Sequence, residues 1–460
     1  MSDKPVRSGR RRKFIKGAGA AMVTALAGCG GGDTTTEGEG SGSTPTENNE
    51  GTTTGTASQN VTTLSLRMFA NSAKEKFIND HNPKMREEIG VEVDYETMGW
   101  SNAKKVQNNS ITSGSGPDVE EIASTWMPKQ INSNGWMDMG EAGVDLPEDK
   151  IYDSPMEIGK FDGVTAGFPW FWGPRAHLYY DGMMESAGID GAPSTWDEMI
   201  EDAKTFNGWA EKQASSGFQQ KSLFGIPGAN NWAVTQYYMM LLWQNGGQML
   251  DDNNKAVFNS DKAVQAMNFY KDLAGANNIS PRSSIEWNGT ARNNAFISKQ
   301  IASTWAGITM KSNISNPQKN LTAGAPPAGP NGDPSTFFGV NLIGIHPWTD
   351  KQRAAAKFVE YLTRADVNAD LAKRRGFLPS VKESFQAPAI QNNSLFQEFN
   401  TLLEDTNAKT APQVVGWGGV ANSLKGAIVD ILTKESTGNW SQGDTKKRLD
   451  AAVTQANDAL

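Results

Sequence analysis

From Val61 onward the chain switches hydrophobic period twice in quick succession. Leu64, Leu66 and Met68 alternate with their neighbours, and so do Val91, Val93 and Tyr95. Between the two runs, residues 74–89 carry a helical pattern, with Pro83 marking a kink or an early turn. Alternation reads as a half-buried strand and the longer pattern as a helix, so the chain opens with a strand–helix–strand unit. Strand and helix signals keep alternating beyond it, which predicts an α/β fold with mostly parallel sheets and helices on both faces. Thr195-Trp196-Asp197-Glu198 has capping-box spacing, and Met199, Ile200, Ala203 and Phe206 form the stripe that follows. Ser260-Asp261 opens a second helix, and Thr349 with Gln352 a third. A stop signal stands at Lys373-Arg374-Arg375-Gly376, cations and then glycine. There is no internal repeat. The roughly 400 structured residues exceed what one sheet usually organises, which predicts two lobes.

The residues before Val61 have a different character. Arg10-Arg11-Arg12-Lys13 leads into a weakly apolar segment, residues 17–26, so residues 1–29 read as an export signal. Residues 11–16 resemble the twin-arginine export pattern; Arg10 stands where Ser or Thr is commoner, so a general secretory signal stays open. Leu26-Ala27-Gly28-Cys29 is similar to a lipobox, which makes Cys29, the one cysteine of the chain, the expected site of lipidation. Residues 30–60 hold Gly, Thr, Ser, Glu and Asn with almost nothing apolar, and are expected to act as a disordered tether.

Charge and motifs exclude several functions. The net charge is −8, and the cations of residues 1–28 outnumber Asp3 by six, so the remainder stands near −14. Such a chain is a poor partner for nucleic acid. It contains no HExxH, CxxC, Walker A or Gly-x-Ser-x-Gly pattern. His81, His177 and His346 are its three histidines, and they are scattered. Asp118, Glu120 and Glu121 are closely spaced, a pattern more usual on a solvated face than in an acid/base pair.

Tryptophan is the positive signal. The chain has 14. Phe168-Pro169-Trp170-Phe171-Trp172-Gly173-Pro174-Arg175 sets aromatics between residues that disfavour both a helix and a central strand. Trp100, Trp126, Trp232, Trp287, Trp305 and Trp417 stand next to turn-forming or small polar residues. Trp196 and Trp209 lie on helical patterns and belong to the core. A pyranose has an apolar face of C–H groups, which an indole covers, and a rim of hydroxyls for Asn, Gln, Arg and Ser. Loop tryptophans in this number point to sugar.

Several motifs, in order along the chain, resemble the extracellular solute-binding proteins of ABC importers, the family that includes maltose-binding protein. Gly114-Ser115-Gly116-Pro117-Asp118-Val119 is similar to the family's Gly-x-Gly-Pro-Asp-Val turn. Phe161-Asp162-Gly163-Val164 through Phe168-Pro169 resembles its hairpin, and Leu178-Tyr179-Tyr180-Asp181 the segment after it. Ala187-Gly188-Ile189, Pro193-Ser194-Thr195-Trp196-Asp197-Glu198, Asn245-Gly246-Gly247 and Gly376-Phe377-Leu378-Pro379 also fit. The resemblance runs from Val61 to Leu460. It implies a two-lobe, type II periplasmic-binding-protein-like fold. One lobe would hold residues 61–172 and 340–376, the other 173–339 and 377–460, with crossings near 171–174, 338–341 and 376–379. It also implies a sugar held in the cleft by lobe closure and passed to permease subunits, with no cofactor and a monomeric chain. Carried over position by position, the resemblance suggests Phe69, Asn71, Ser124, Thr125, Trp126, Trp170, Phe171, Trp172, Arg175, Asn230, Trp232, Gln236, Trp305, Gly307, Thr309 and Trp417 as ligand-binding, and Trp287 joins them on its loop context. Side chains at most of these positions differ from those of maltose-binding protein, so the particular sugar is open. A glycerol phosphate or polyamine carrier is the nearest alternative, and a secreted glycoside hydrolase or a purely structural surface protein a more distant one.

Overall fold

The computed structural model describes residues 60–214, 221–314, 321–436, 438, 440 and 442–460. Cys29 and the rest of residues 1–59 lie outside them, so the expectations for signal and tether are not addressed by the structure.

The opening unit folds as its periodicity predicts. Strand Thr62–Phe69 pairs in parallel with Val91–Met98, Thr62 opposite Val91, and the two are joined by helix Ser72–Glu88. Pro83 sits inside that helix, which continues through it. Val119–Ala123 adds a third parallel strand, Leu66 opposite Val119. Next to it the long strand Ser335–Ile345 runs antiparallel, Ile345 opposite Val119; from Phe338 to Ile343 it also pairs with Phe168–Pro174, and from Ser335 to Phe337 with Asn407–Lys409. A second sheet holds Thr322–Gly324, Ala176–Tyr179, Ile301–Ala306 and Ser222–Phe224 in that order. Among the described residues five strand pairs are antiparallel and four parallel, so the sheets are mixed rather than mostly parallel. In the first sheet the reversed strands are Ser335–Ile345 and its parallel partner Asn407–Lys409, while Phe168–Pro174 runs in the direction of the opening unit.

One core lies under the first sheet, with Leu64, Leu66, Phe77, Ile343, Phe358 and Leu371. The other surrounds the second sheet, with Phe206, Phe224, Tyr238, Phe296, Ile301 and Ile428. Three segments are stitched together where the sheets meet. Trp172 N–H donates to Leu378 O at 3.3 Å, and Trp172 O accepts the return bond from Leu378 N–H at 2.9 Å. Arg175 N–H donates to Phe337 O at 2.9 Å. The Asn368 amide gives one bond to Trp170 O at 3.0 Å and takes another from Ser380 N–H at 3.0 Å.

Phe168–Pro174 is a strand despite its two prolines. The register slips between Asn341 and Leu342, so Trp170 is left opposite no partner and the strand bulges there. Pro169 and Pro174 are tolerated because the strand has a ladder on one side only. The hairpin of Lys160–Phe161 and Val164–Thr165 turns through Asp162 at φ 52° and Gly163 at φ 79°, the left-handed pair that a two-residue loop of this hand needs. Among the described residues no helix is long and apolar enough to cross a membrane.

Candidate functional site

A cleft of about 860 Å³ opens where the C-terminal ends of the three parallel strands face helices that begin around the second sheet. This edge is where open α/β sheets hold ligands. Phe69 ends the first strand and is buried. Met98 and Gly99 end the second, and the helix Trp100–Ser113 starts at once, so Trp100 is held directly over Phe69. The two rings stack at 3.8 Å between centroids and 8° between planes. The third strand runs into Ser124–Trp126, and Trp126 meets Phe69 and Trp100 edge-on at 5.9 and 6.0 Å. The stack supports Trp100 from beneath and leaves its outer face in water, 53 % exposed.

The opposite wall carries Trp232 and Trp417, edge to face at 6.2 Å and 88°. Trp232 also packs edge-on to Phe337 at 6.5 Å and is 36 % exposed, while Trp417 is buried behind it. Both are the first residues of helices, Trp232–Gln244 and Trp417–Ser436, and a third helix, Gly289–Ile297, starts beside them. Asn231 and Asn288 cap two of these by accepting N–H bonds from Ala233 and Ala291, each at 2.8 Å. Lys104 and Lys425 complete the polar lining, with Thr125, Thr290, Asn293 and Asn422. The Lys104 ammonium lies 6.0 Å from the centroid of the Trp126 ring. Burial, and then the nearby Lys129 cation, lower its pKa from the ordinary lysine value.

The expected ligand-binding residues therefore divide. Thr125, Trp126, Trp232 and Trp417 line this cleft, and Phe69 is the base of the Trp100 stack. Ser124 is buried under the turn. Asn71 accepts a bond from Lys74 N–H at 3.2 Å and caps its helix. Trp170, Phe171 and Trp172 lie in the core rather than in the cleft wall. Trp170 packs against the Lys74 ammonium at 5.5 Å, Phe171 stacks on Phe377 at 4.8 Å, and the Trp172 indole N–H donates to Pro379 O at 2.9 Å. Trp305 is fully buried and donates to His177 Nδ1 at 3.3 Å. Burial drives the His177 pKa down to about 3, which keeps that ring neutral. Arg175 lies against the Phe337 ring at 5.7 Å, and burial lowers its pKa to about 10. Its Nη1 stands 3.0 Å from where a Cβ on Gly307 would be, which accounts for a glycine at that position. Trp287 is half-buried, and its carbonyl accepts from Gly228 N–H at 2.9 Å. Asn230, Gln236 and Thr309 are outside the lining set.

The carboxylate trio is a second departure from expectation. Asp118, Glu120 and Glu121 are buried, not solvated. Glu120 accepts from Arg67 Nε at 2.6 Å and pairs with His346 Nε2 at 2.9 Å. Glu121 pairs with Lys74 and accepts from Asn341 Nδ2 at 2.7 Å. Asp118 accepts from Ser65 N–H at 2.8 Å and from Lys351 Nζ at 3.0 Å. Every one of these charges has a cation or donor from another segment, which is what permits their burial. His81 is likewise partnered, by the Tyr361 hydroxyl at 2.8 Å. Among the described residues there is no cluster of His, Cys, Asp and Glu fit to hold a metal ion.

Sequence reasoning noted the loop setting of Trp100 without assigning it a role, and it passed over Lys104, Asn288, Asn293 and Lys425. A usable signal was present: a turn-forming residue followed at once by a helix start, as in Gly99-Trp100, Asn231-Trp232, Asn288-Gly289 and Gly416-Trp417.

A two-sheet α/β fold with an aromatic cleft at the strand ends is the architecture of a solute-binding protein. The chain matches the family model for bacterial extracellular solute-binding protein over residues 82–398, and it belongs to that family. It is similar to the diacetylchitobiose binding protein DasA of Streptomyces coelicolor, 24 % identical with 95 % of this chain and 99 % of that protein covered. It is also similar to a putative binding protein of Brucella abortus, 23 % identical over 80 % of this chain and 87 % of that one. Among solved structures it superposes on an ABC transporter solute-binding protein of Thermotoga lettingae bound to α-D-tagatose. The TM-score is 0.73 at 21 % identity, over 86 % of this chain and 99 % of that one. A maltose-bound MalE3 of T. maritima gives 0.73 at 19 % identity, over 86 % of this chain and all of that one.

Proposed function

We propose that the protein is the substrate-binding component of an ABC importer, that it captures an oligosaccharide by lobe closure, and that it delivers the sugar to a membrane permease. The Trp100 platform carries this reading. A flat indole, braced by Phe69 and exposed into a cleft, suits the C–H face of a pyranose. Trp232 offers a second exposed indole on the opposite wall, and amides and hydroxyls between them suit the hydroxyl rim. Relatives named for diacetylchitobiose and maltotriose, and structural neighbours bound to tagatose, maltose and acarbose, support a sugar. Closure would swing the lobes about the joined segments at Trp172, Leu378 and the long strand, since ligand contacts on both walls exist together only when shut. The export signal, the lipid on Cys29 and the tether would place a monomeric receptor at the outer face of the cytoplasmic membrane.

The test is thermal unfolding of the compact unit from Ser58 to Leu460 against mono- and oligosaccharides, with glycerol phosphates and polyamines as controls. A ligand at about 100 times its Kd that binds only the folded state adds about 2.7 kcal/mol. Stabilisation by a sugar, with the sugar recovered intact, is expected. Stabilisation by a polyamine or glycerol phosphate and by no sugar would overturn the reading.

A further inference from the structure

The charge inside the cleft opposes the charge of the chain. The protein is −8 overall, yet the charged residues lining the cleft are Lys104 and Lys425, and no Asp or Glu appears among the described lining residues. Lys104 forms no ion pair among the described residues, and the Lys129 cation lies close enough to disfavour its charge further. Its ammonium lies 3.5 Å from where a Cβ on Gly418 would stand, so it faces the first turn of helix Trp417–Ser436. A helix start is itself partially positive. A cation packed beside a positive helix end and partly withdrawn from water favours an anion in the adjoining cleft.

The asparagines add an independent observation. Asn231 Oδ1 accepts from Ala233 N–H, Asn288 Oδ1 from Ala291 N–H, Asn422 Oδ1 from Lys425 Nζ at 3.3 Å, and Asn293 Oδ1 from Arg292 Nη2. All four amide oxygens lining the cleft thus have one lone pair engaged by the protein, while each amide also carries two N–H donors. The lining thus sets two ammonium groups and amide N–H donors beside the Thr125 and Thr290 hydroxyls, and no described lining residue carries a negative charge that would repel an anionic substituent.

We propose that the saccharide taken by this cleft is acidic, with a carboxylate, sulfate or phosphate substituent held between Lys104 and Lys425 while a ring stacks on Trp100. This rests on the sugar-binding reading and specifies its ligand. The anion receives charge-assisted bonds from the ammonium groups and amide N–H groups. The acidic surface outside gives no long-range attraction, so the selectivity lies in the off-rate.

The experiment is calorimetric titration of the unit from Ser58 to Leu460 with matched pairs: digalacturonate against its neutral galactose disaccharide, and glucose 6-sulfate and glucose 6-phosphate against glucose. Inorganic sulfate and phosphate are run alone. At least one acidic sugar is expected to bind about tenfold or more tighter than its neutral partner, the size of a charge-assisted contact. The arm with the largest ratio identifies the anion. Lys104→Met and Lys425→Met are each expected to weaken the acidic sugar far more than its neutral partner and so remove most of that ratio, and Lys104→Arg to retain it. Removing a desolvated cation leaves the Lys104→Met melting temperature unchanged or raised, so loss of binding is separable from loss of fold. Neutral sugars binding as tightly as acidic ones, or lysine variants weakening both equally, would overturn the acidic assignment and leave the sugar reading intact. Inorganic anions stabilising as well as any sugar would overturn both.

Discussion

Replacing Trp100 by alanine removes the exposed face that the proposed ligand covers and the buried face that covers Phe69. Trp100 is 53 % exposed. With an indole side chain of roughly 250 Å², about 130 Å² faces the cleft. A pyranose covering two-thirds of it takes about 85 Å² out of water, or about 2 kcal/mol at 25 cal/mol per Å². Trp100→Ala should therefore raise the sugar Kd about 30-fold. The stack on Phe69 adds a separate, ligand-independent loss of about 0.5–1.5 kcal/mol in stability. Trp100→Phe retains a smaller platform and should fall between. Calorimetry with the sugar found by thermal screening reads the first effect, and denaturant unfolding of the free protein reads the second. An alanine variant that is destabilised as expected yet binds within about twofold of the parent would refute the platform argument.

Other perturbations reach different parts of the account. Gly228→Ala places a Cβ 2.3 Å from Ile285 Cα and 2.4 Å from its carbonyl oxygen, backbone that cannot step aside. A loss of about 3 kcal/mol, the upper range for overpacking, is expected in urea unfolding. Burial alone would raise the Asp118 pKa, but bonds from Ser65, Thr349 and Lys351 outweigh it and hold the carboxyl below its ordinary 3.8. Its contribution is thus present above the unfolded pKa and is lost as pH falls below about 4. Asp118→Asn should lower stability at pH 7 and flatten that acid limb in unfolding curves taken from pH 3 to 6. Cys29→Ser should release the exported protein from membranes into the soluble fraction, as fractionation and immunoblotting would show.

The legible parts of the fold were those fixed by neighbours in sequence. Asp162-Gly163 had to turn left-handed, Ser260 accepts the Ala263 N–H as a cap, and Gly376 at φ 68° ends its helix. The capping box at Thr195 was nearly so: Thr195 Oγ1 does accept the Glu198 N–H, but the Glu198 carboxylate reaches back to Ser194 N–H and hydroxyl instead. Thr349 donates its hydroxyl to Asp118, and the helix it was expected to open begins at Gln352 without a side-chain cap.

The site was half legible for the same reason. Tryptophans that follow a turn residue and start a helix, Trp100, Trp232 and Trp417, are carried to the cleft by the helix start itself. Trp170, Trp172 and Trp305 look alike in composition but stand inside strands, where sheet packing on both faces decides exposure. The buried acids show the limit of local reading most clearly. Glu120 and Glu121 are covered because Arg67, Lys74 and His346 arrive from segments far away in sequence, and no window of the chain displays that pairing.

The most direct test of the central claim is a structure of the protein bound to the sugar that stabilises it most. The account predicts closed lobes, a pyranose face against the outer side of Trp100, and Trp232 in contact from the other wall. A sugar bound elsewhere, with Trp100 left facing solvent, would contradict it.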